Sequence, residues 1–271
     1  MVRIGNNLKA LIRQEQLKKE DTNKDYATLF INDLYSTIKK VELEDDHKIS
    51  KTFKPSSMKC ARNMQYQIMG TEKDKSIVNP SMVRIGECGT DSHLRIQHWI
   101  AKMKEQGFDC EYINVADFVR SRNLTDLEIL KEPTDDEMET KLYNKKYNIT
   151  FMCDGILRYM NVYFIFEFKT ETNYKFAPRK AMNEEHIPQI CAYYLSFRIP
   201  NIMMLYENRD TCAHKAYHVI VNDNMVWENV LSKIEEVNSC VQQGTLAKAN
   251  VGKHCQYCDY ATTCRKAGGG F

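Results

Sequence analysis

ITFMCDGILRYMNVYFIFEFKT, residues 149–170, alternates apolar and polar positions as two strands separated by a tight turn. Side chains point to opposite faces along a strand, so Glu167 and Lys169 share one face while Phe166 and Phe168 enter the other, apolar layer. A hairpin centred between Met160 and Asn161 places Asp154 and Glu167 equally far from the turn, directly across from each other. Two carboxylates then converge on one metal, with Lys169 as the cation beside them. Hard carboxylate oxygens next to a cation that assists an attacking water suit divalent-metal hydrolysis of a phosphodiester. A surface hairpin with a weak Glu–Lys pair has the same local pattern, so the flanking segments have to discriminate.

Upstream, GTDSHLRIQHWIAKM (89–103) sets Ile96, Trp99, Ile100 and Met103 at amphipathic helical spacing, with Thr90 and Asp91 as N-caps. His93 lies three and seven residues before Ile96 and Ile100, on the inward face, where it can serve as a nitrogen ligand or as a core histidine. Downstream, EEHIPQICAYYLSF (184–197) is helical. It puts Gln189 and Tyr193 one turn apart, within reach of a DNA phosphate or of Lys169. A strand at NIMMLYEN (201–208) and a helix from about 227 to 241 follow, and this mixed order argues for an α/β sandwich core.

Composition sets the outer bounds. The 271 residues are 43% hydrophobic and 27% charged, enough for one large domain with an appendage. A net charge of +2 assigns any nucleic-acid affinity to local patches rather than a global field. No signal-peptide segment and no membrane-length apolar run stands out, so the expected location is the cytoplasm. No GxxxxGK[ST] loop is present, which argues against an ATP-driven motor. Residues 1–50 are charged, with Leu8, Leu11 and Ile12 and then Leu29, Leu34 and Ile38 at helical spacing: a helical extension preceding a domain over 51–271. The acidic stretch TDDEMET (134–140) reads as a solvated loop without chemistry, and the Gly-rich end as disordered.

Ten cysteines without a secretory leader favour metal ligation over disulfides. Cys255, Cys258 and Cys264 form a C-x2-C-x5-C triplet that leaves one open position in a four-thiolate set, for which Cys60 is the expected partner. Spacing alone fits zinc equally well, as Cys₄ or as Cys₃His with His254. Cys88, Cys110, Cys153, Cys191, Cys212 and Cys240 lack such clustering and read as small buried hydrophobes. Lys54, Lys59, Arg62, Lys253, Arg265 and Lys266 flank the ligands and can form a basic edge.

GTDSHLRIQ, the CDG of Asp154, the EFK of residues 167–169 and QICAY of residues 189–193 together resemble the motif series of RecB-like PD-(D/E)XK nucleases. Cys60 and the C-terminal triplet make the chain, from about Lys54 to Lys266, similar to the CRISPR-associated iron-sulfur exonucleases of the Cas-four type. The resemblance implies a restriction-endonuclease-like core, a mixed sheet flanked by helices, clamped by a 4Fe-4S cluster on Cys60, Cys255, Cys258 and Cys264. It implies Mg²⁺ or Mn²⁺ on His93, Asp154, Glu167 and the Phe168 carbonyl, with Lys169, Gln189 and Tyr193 completing the catalytic set. The implied activity is exonucleolytic cleavage of DNA, single strands before duplex ends, with some endonuclease activity, in recombination, repair or end processing. Recombination or CRISPR-adaptation proteins are the implied partners, no membrane is involved, and oligomer formation is left open. The 93–154 interval is long for that family and residues 1–50 have no counterpart in it. An adaptor subunit that binds DNA for a helicase-nuclease or spacer-acquisition complex is the alternative.

Overall fold

The computed structural model describes residues 25–44, 50–74, 78–134 and 139–269. The chain divides into two compact units, one containing the helix Tyr26–Glu44 (α1) and the segment 78–84, the other the described residues of 50–74 and 85–269. Helix α1 contains Leu29, Leu34 and Ile38 as their spacing predicts. The Asp25 carboxylate caps it by accepting from the N–H groups of Ala27 (3.1 Å) and Thr28 (3.2 Å). Leu8, Leu11 and Ile12, residues 135–138 of the acidic stretch, and the last two residues lie outside the described part. No described helix is long and apolar enough to cross a membrane.

The larger unit is a mixed α/β fold. After the short helix Ala61–Ile68 (α2), the long helix Pro80–Ala101 (α3) leads to strands β1 (Cys110–Ile113), β2 (Leu127–Lys131), β3 (Thr140–Asn144), β4 (Ile149–Cys153), β5 (Gly155–Tyr159) and β6 (Val162–Glu171), with a helix Val115–Ser121 (α4) between β1 and β2. The short helix Asn173–Phe176 (α5) and the helix Ile187–Phe197 (α6) precede β7 (Asn201–Asn208) and β8 (His214–Ile220). Helices Asp223–Val226 (α7), Ser232–Gln243 (α8) and Ala261–Lys266 (α9) end the chain. The five-stranded sheet has the order β1-β5-β6-β7-β8, antiparallel except for the parallel β6–β7 pair, and β2-β3-β4 form a second antiparallel sheet.

Central β6 explains its own composition. Phe164, Phe166 and Phe168 pack on one face with Ile100, Cys110 and Leu157, while Ile165 joins the main core on the other. The hairpin turn falls where the arithmetic puts it: Tyr159 pairs with Val162, and Met160 (φ 49°) and Asn161 (φ 62°) both adopt left-handed backbone, as a type I′ turn requires.

Two sequence expectations need correcting here. Thr90 and Asp91 lie inside α3 and do not cap it, because Asn79 Oδ1 accepts from Ser81 N–H (3.0 Å) and Pro80 occupies the first helical position, starting the helix ten residues earlier. Cys88 and Cys212 are exposed, unlike buried Cys110, Cys153 and Cys191. Cys212 sits in a turn with φ 56°, a place dictated by backbone geometry and not by packing.

Candidate active site

Asp154 stands where the chain passes from one sheet to the other, between the last residue of β4 and the first of β5. Thr140 pairs with Cys153 across β3–β4, and Gly155 with Phe166 across β5–β6. Carrying each register one residue further sets Glu139 opposite Asp154 on one side and Glu167 opposite it on the other. The crossover is held by its carbonyl, which accepts from Gln97 Nε2 at 2.6 Å and from the Tyr112 hydroxyl at 2.5 Å. Gly155 is required for that approach, since a Cβ there would come within 2.6 Å of the Tyr112 ring.

Three ligand-type atoms converge around Asp154. His93 Nδ1 lies 3.3 Å from Asp154 Oδ2 and 3.3 Å from Glu139 Oε1, and all three atoms fall within 4.8 Å of one another. The imidazole nitrogen makes no aligned hydrogen bond to either oxygen, although it is buried. Asp154 Oδ2 also accepts from the Phe168 N–H at 2.7 Å, and the His93 ring stacks edge-on against Phe168 at 5.0 Å. Glu139 is the residue that sequence reading missed. It belongs to the acidic stretch read as a chemistry-free loop, and the signal that finds it is the β3–β4 turn at residues 145–148, treated with the same arithmetic as the turn at 160–161.

Glu167 is completely buried and opposes this group. Its Oε1 pairs with Lys169 Nζ and accepts from Gln189 Nε2 at 2.7 Å, while Oε2 has no partner. Gln189 Nε2 also reaches the Tyr193 hydroxyl at 2.6 Å, and that hydroxyl donates to the Met152 carbonyl at 2.7 Å. Tyr193 is therefore a buried prop that fixes Gln189 on β4. Gln189 in turn fixes Glu167, and through it Lys169.

Charge in this pocket is strongly coupled. Burial, followed by the Asp154 carboxylate, pushes the Glu167 pKa up to about 7 against the opposing pull of Lys169. Burial also works against ionised Asp154, but His93, Lys169 and the Phe168 N–H outweigh it and hold the group below the usual carboxylate range. Lys169 is raised to about 12 because Glu167 and Asp154 outweigh the desolvation of its ammonium. A cluster with two carboxylates of opposite tendency, an unpartnered Glu167 oxygen and a misaligned imidazole nitrogen fits a divalent cation, whose charge relieves the crowding of anions.

The cysteine corner is a second polar cluster, with Cys60 buried and Cys255, Cys258 and Cys264 half-buried. Cys60, at the head of α2, lines one cavity together with Cys255, Cys258 and Cys264. N–H groups point at the sulfurs: Asn250 N to Cys60 Sγ (3.3 Å), Gly252 N to Cys255 Sγ (3.4 Å) and Asn63 Nδ2 to Cys258 Sγ (3.3 Å). The Tyr66 hydroxyl, buried in the same wall, has no partner. Gly269 closes over Cys264, where a Cβ would collide with the sulfur. Donors aimed at sulfur and a spare hydroxyl fit a thiolate-held inorganic group. Among the described residues, no three cysteine sulfurs stand as close as the 4.8 Å that encloses His93, Glu139 and Asp154. A tetrahedral zinc would draw them to about 3.8 Å.

The expected basic edge is only partly formed. Arg62 is committed to the carbonyls of Ala247 (2.8 Å) and Ala267 (3.3 Å), Arg265 to that of Ala261, and Lys59 pairs with Glu185. His254 donates through Nε2 to the Asn250 carbonyl (2.8 Å), which points that nitrogen at backbone.

No family model matches this chain, and no curated protein does. Among solved structures it is similar to SSO0001 (15% identity over 88% of this chain and 97% of that one, TM-score 0.46) and to LHK-Exo in complex with dAMP (13% identity, 81% and 94% covered, TM-score 0.41).

Proposed function

We propose that this protein is a Mg²⁺- or Mn²⁺-dependent deoxyribonuclease of the PD-(D/E)XK type that trims DNA ends, single strands preferentially, and carries a 4Fe-4S cluster on Cys60, Cys255, Cys258 and Cys264. The observation that carries the reading is the convergence of His93, Glu139 and Asp154 within 4.8 Å beside the paired Glu167 and Lys169. Histidine and carboxylates, with a lysine two residues on along the same strand face, is the donor set that metal-assisted phosphodiester hydrolysis uses.

In this reading His93, Glu139, Asp154 and Glu167, with the Phe168 carbonyl, would hold the cation, which would supply Lewis-acid polarisation of the phosphoryl group and a more acidic water. Lys169, held by Glu167, orients the attacking water and offsets negative charge as it builds on phosphorus. Gln189 and Tyr193 keep the carboxylate in place and are positioning residues. The resemblance of the cysteine pattern to the iron-sulfur exonucleases, with the spare Tyr66 hydroxyl beside it, favours an iron-sulfur core over a single zinc ion.

The test is cleavage of end-labelled single- and double-stranded DNA with Mg²⁺, Mn²⁺ or EDTA, alongside iron and zinc analysis of anaerobically purified protein. Metal-dependent shortening of the single strand and about four irons per chain are expected. Binding without cutting in either metal would leave only the adaptor role, and stoichiometric zinc without iron would remove the cluster.

A further inference from the structure

Next to the cysteine corner runs a groove of about 800 Å³ with an unusual lining. Tyr174 and Tyr257 stand in it 88% and 76% exposed, an arrangement that folding does not explain, because rings left in water contribute little to stability. Lys59, Lys175 and Lys253 line the same groove, and Lys175 and Lys253 are exposed. Glu185 partly offsets Lys59 at 3.2 Å. Arg179 lines it as well, its guanidinium held by Glu171 and stacked over Tyr206 at 4.5 Å, so this wall is rigid.

The groove borders the cysteine corner directly and is tied to the active site through the chain that follows β6. It shares Cys60 and Cys258 with the cysteine cavity. Tyr174 in its lining follows Lys169 by five residues, as β6 ends and α5 begins, which limits their separation to roughly 17 Å of extended chain.

Exposed aromatic rings interleaved with lysines match one polymer in particular. Each base of an unpaired strand offers a face for stacking whatever its identity, and each phosphate offers a charge to an ammonium. A duplex hides its base faces and offers only the phosphates. We infer that this groove conducts a single DNA strand between the cysteine corner and Lys169, with bases stacked on Tyr174 and Tyr257 and phosphates on Lys175 and Lys253. The inference rests on the nuclease reading for its direction of travel, though not for the binding itself.

Fluorescence anisotropy with labelled oligo-dT and a blunt duplex of equal length tests it, in the Glu167→Ala background so that the probes stay intact. Tyr174→Ala/Tyr257→Ala should weaken oligo-dT binding at least about tenfold and leave duplex binding within about twofold. Lys175→Glu/Lys253→Glu should make the salt dependence of oligo-dT binding shallower by roughly one unit of log-log slope. Both pairs are surface changes, and an unchanged thermal melt confirms that the fold is retained. Wild-type oligo-dT affinity in the tyrosine variant, or equal losses for both probes, overturns the proposal. If the unsubstituted protein cuts neither probe in Mg²⁺ or Mn²⁺, the nuclease reading falls instead, and the anisotropy result still judges the groove.

Discussion

The carboxylate site is a buried polar cluster and the cysteine corner a half-buried one, and they are built on opposite principles. Around Asp154 the carboxylates and Lys169 come from paired strand positions whose spacing the sheet register sets, with His93 added from α3. Around Cys60 they come from distant parts of the chain: the Asn250 N–H that meets Cys60 Sγ is 190 residues away. The corner is assembled by backbone-directed contacts. Gln65 donates to the Thr245 carbonyl (2.6 Å) and accepts from Ala247 N–H (2.7 Å), and Asp74 caps α9 through Thr263 N–H (3.1 Å) and Oγ1 (2.7 Å). Strand register pre-organises the first site. The second closes a loop of nearly the whole unit, which is where a cross-link restricts the unfolded chain most.

The comparison breaks most sharply with Glu167→Ala. Cleavage should fall by at least about a thousandfold, since a proposed metal ligand and the partner of Lys169 are lost together, while the melting temperature falls by only a few degrees because Asp154 still offsets the Lys169 charge. A large drop in melting temperature would show the carboxylate site to be structural too. Cys258→Ala should do the reverse, lowering the melting temperature by roughly 5–15 °C with loss of visible absorbance and damage to binding and cutting alike. Retained stability in a colourless variant would end the distinction between the two clusters.

Smaller changes sharpen it. Glu139→Gln should raise the Mg²⁺ concentration needed for half-maximal cutting about 10–100-fold without affecting the melt, and wild-type metal dependence would return Glu139 to the loop. Tyr66→Phe should leave activity and stability near wild type but shift the cluster potential roughly 20–60 mV more negative, because one hydrogen bond that favours the reduced, more anionic sulfur is removed. An unchanged potential would mean that the hydroxyl does not face the cluster.

The smallest effect concerns acid. Burial, then Lys169, lowers the His186 pKa to about 3, so the unfolded chain takes up a proton near the ordinary histidine pKa of about 6.5 while the folded chain does not. The stability contributed by neutral His186 is thus present above about pH 6.5 and declines as the pH falls toward 3. His186→Gln should flatten chemical-denaturation stability between pH 7 and 4 relative to wild type.

Much of this was legible in the chain itself. Alternation in 162–171 identified the central strand, the centre of the 160–161 turn aligned Asp154 with Glu167, and i, i+4 spacing put Gln189 and Tyr193 on one helical face. These are local regularities, set by periods of 2 and 3.6 residues that any observer of the sequence can count. Glu139 was hidden because acidic loop residues are ordinarily solvated, and only the meeting of two sheets at Asp154 brings this one inward. Arg62 looked like a phosphate contact but serves the carbonyls of Ala247 and Ala267, a choice made by the packing of α2 against residues 245–267. The sequence by itself determined the strand hairpin, the carboxylate–lysine pattern and the cysteine spacing, since these depend on near neighbours. The tertiary structure alone decided which polar groups are buried without partners and which exposed rings share a groove with lysines, because burial and convergence depend on segments far apart in the chain.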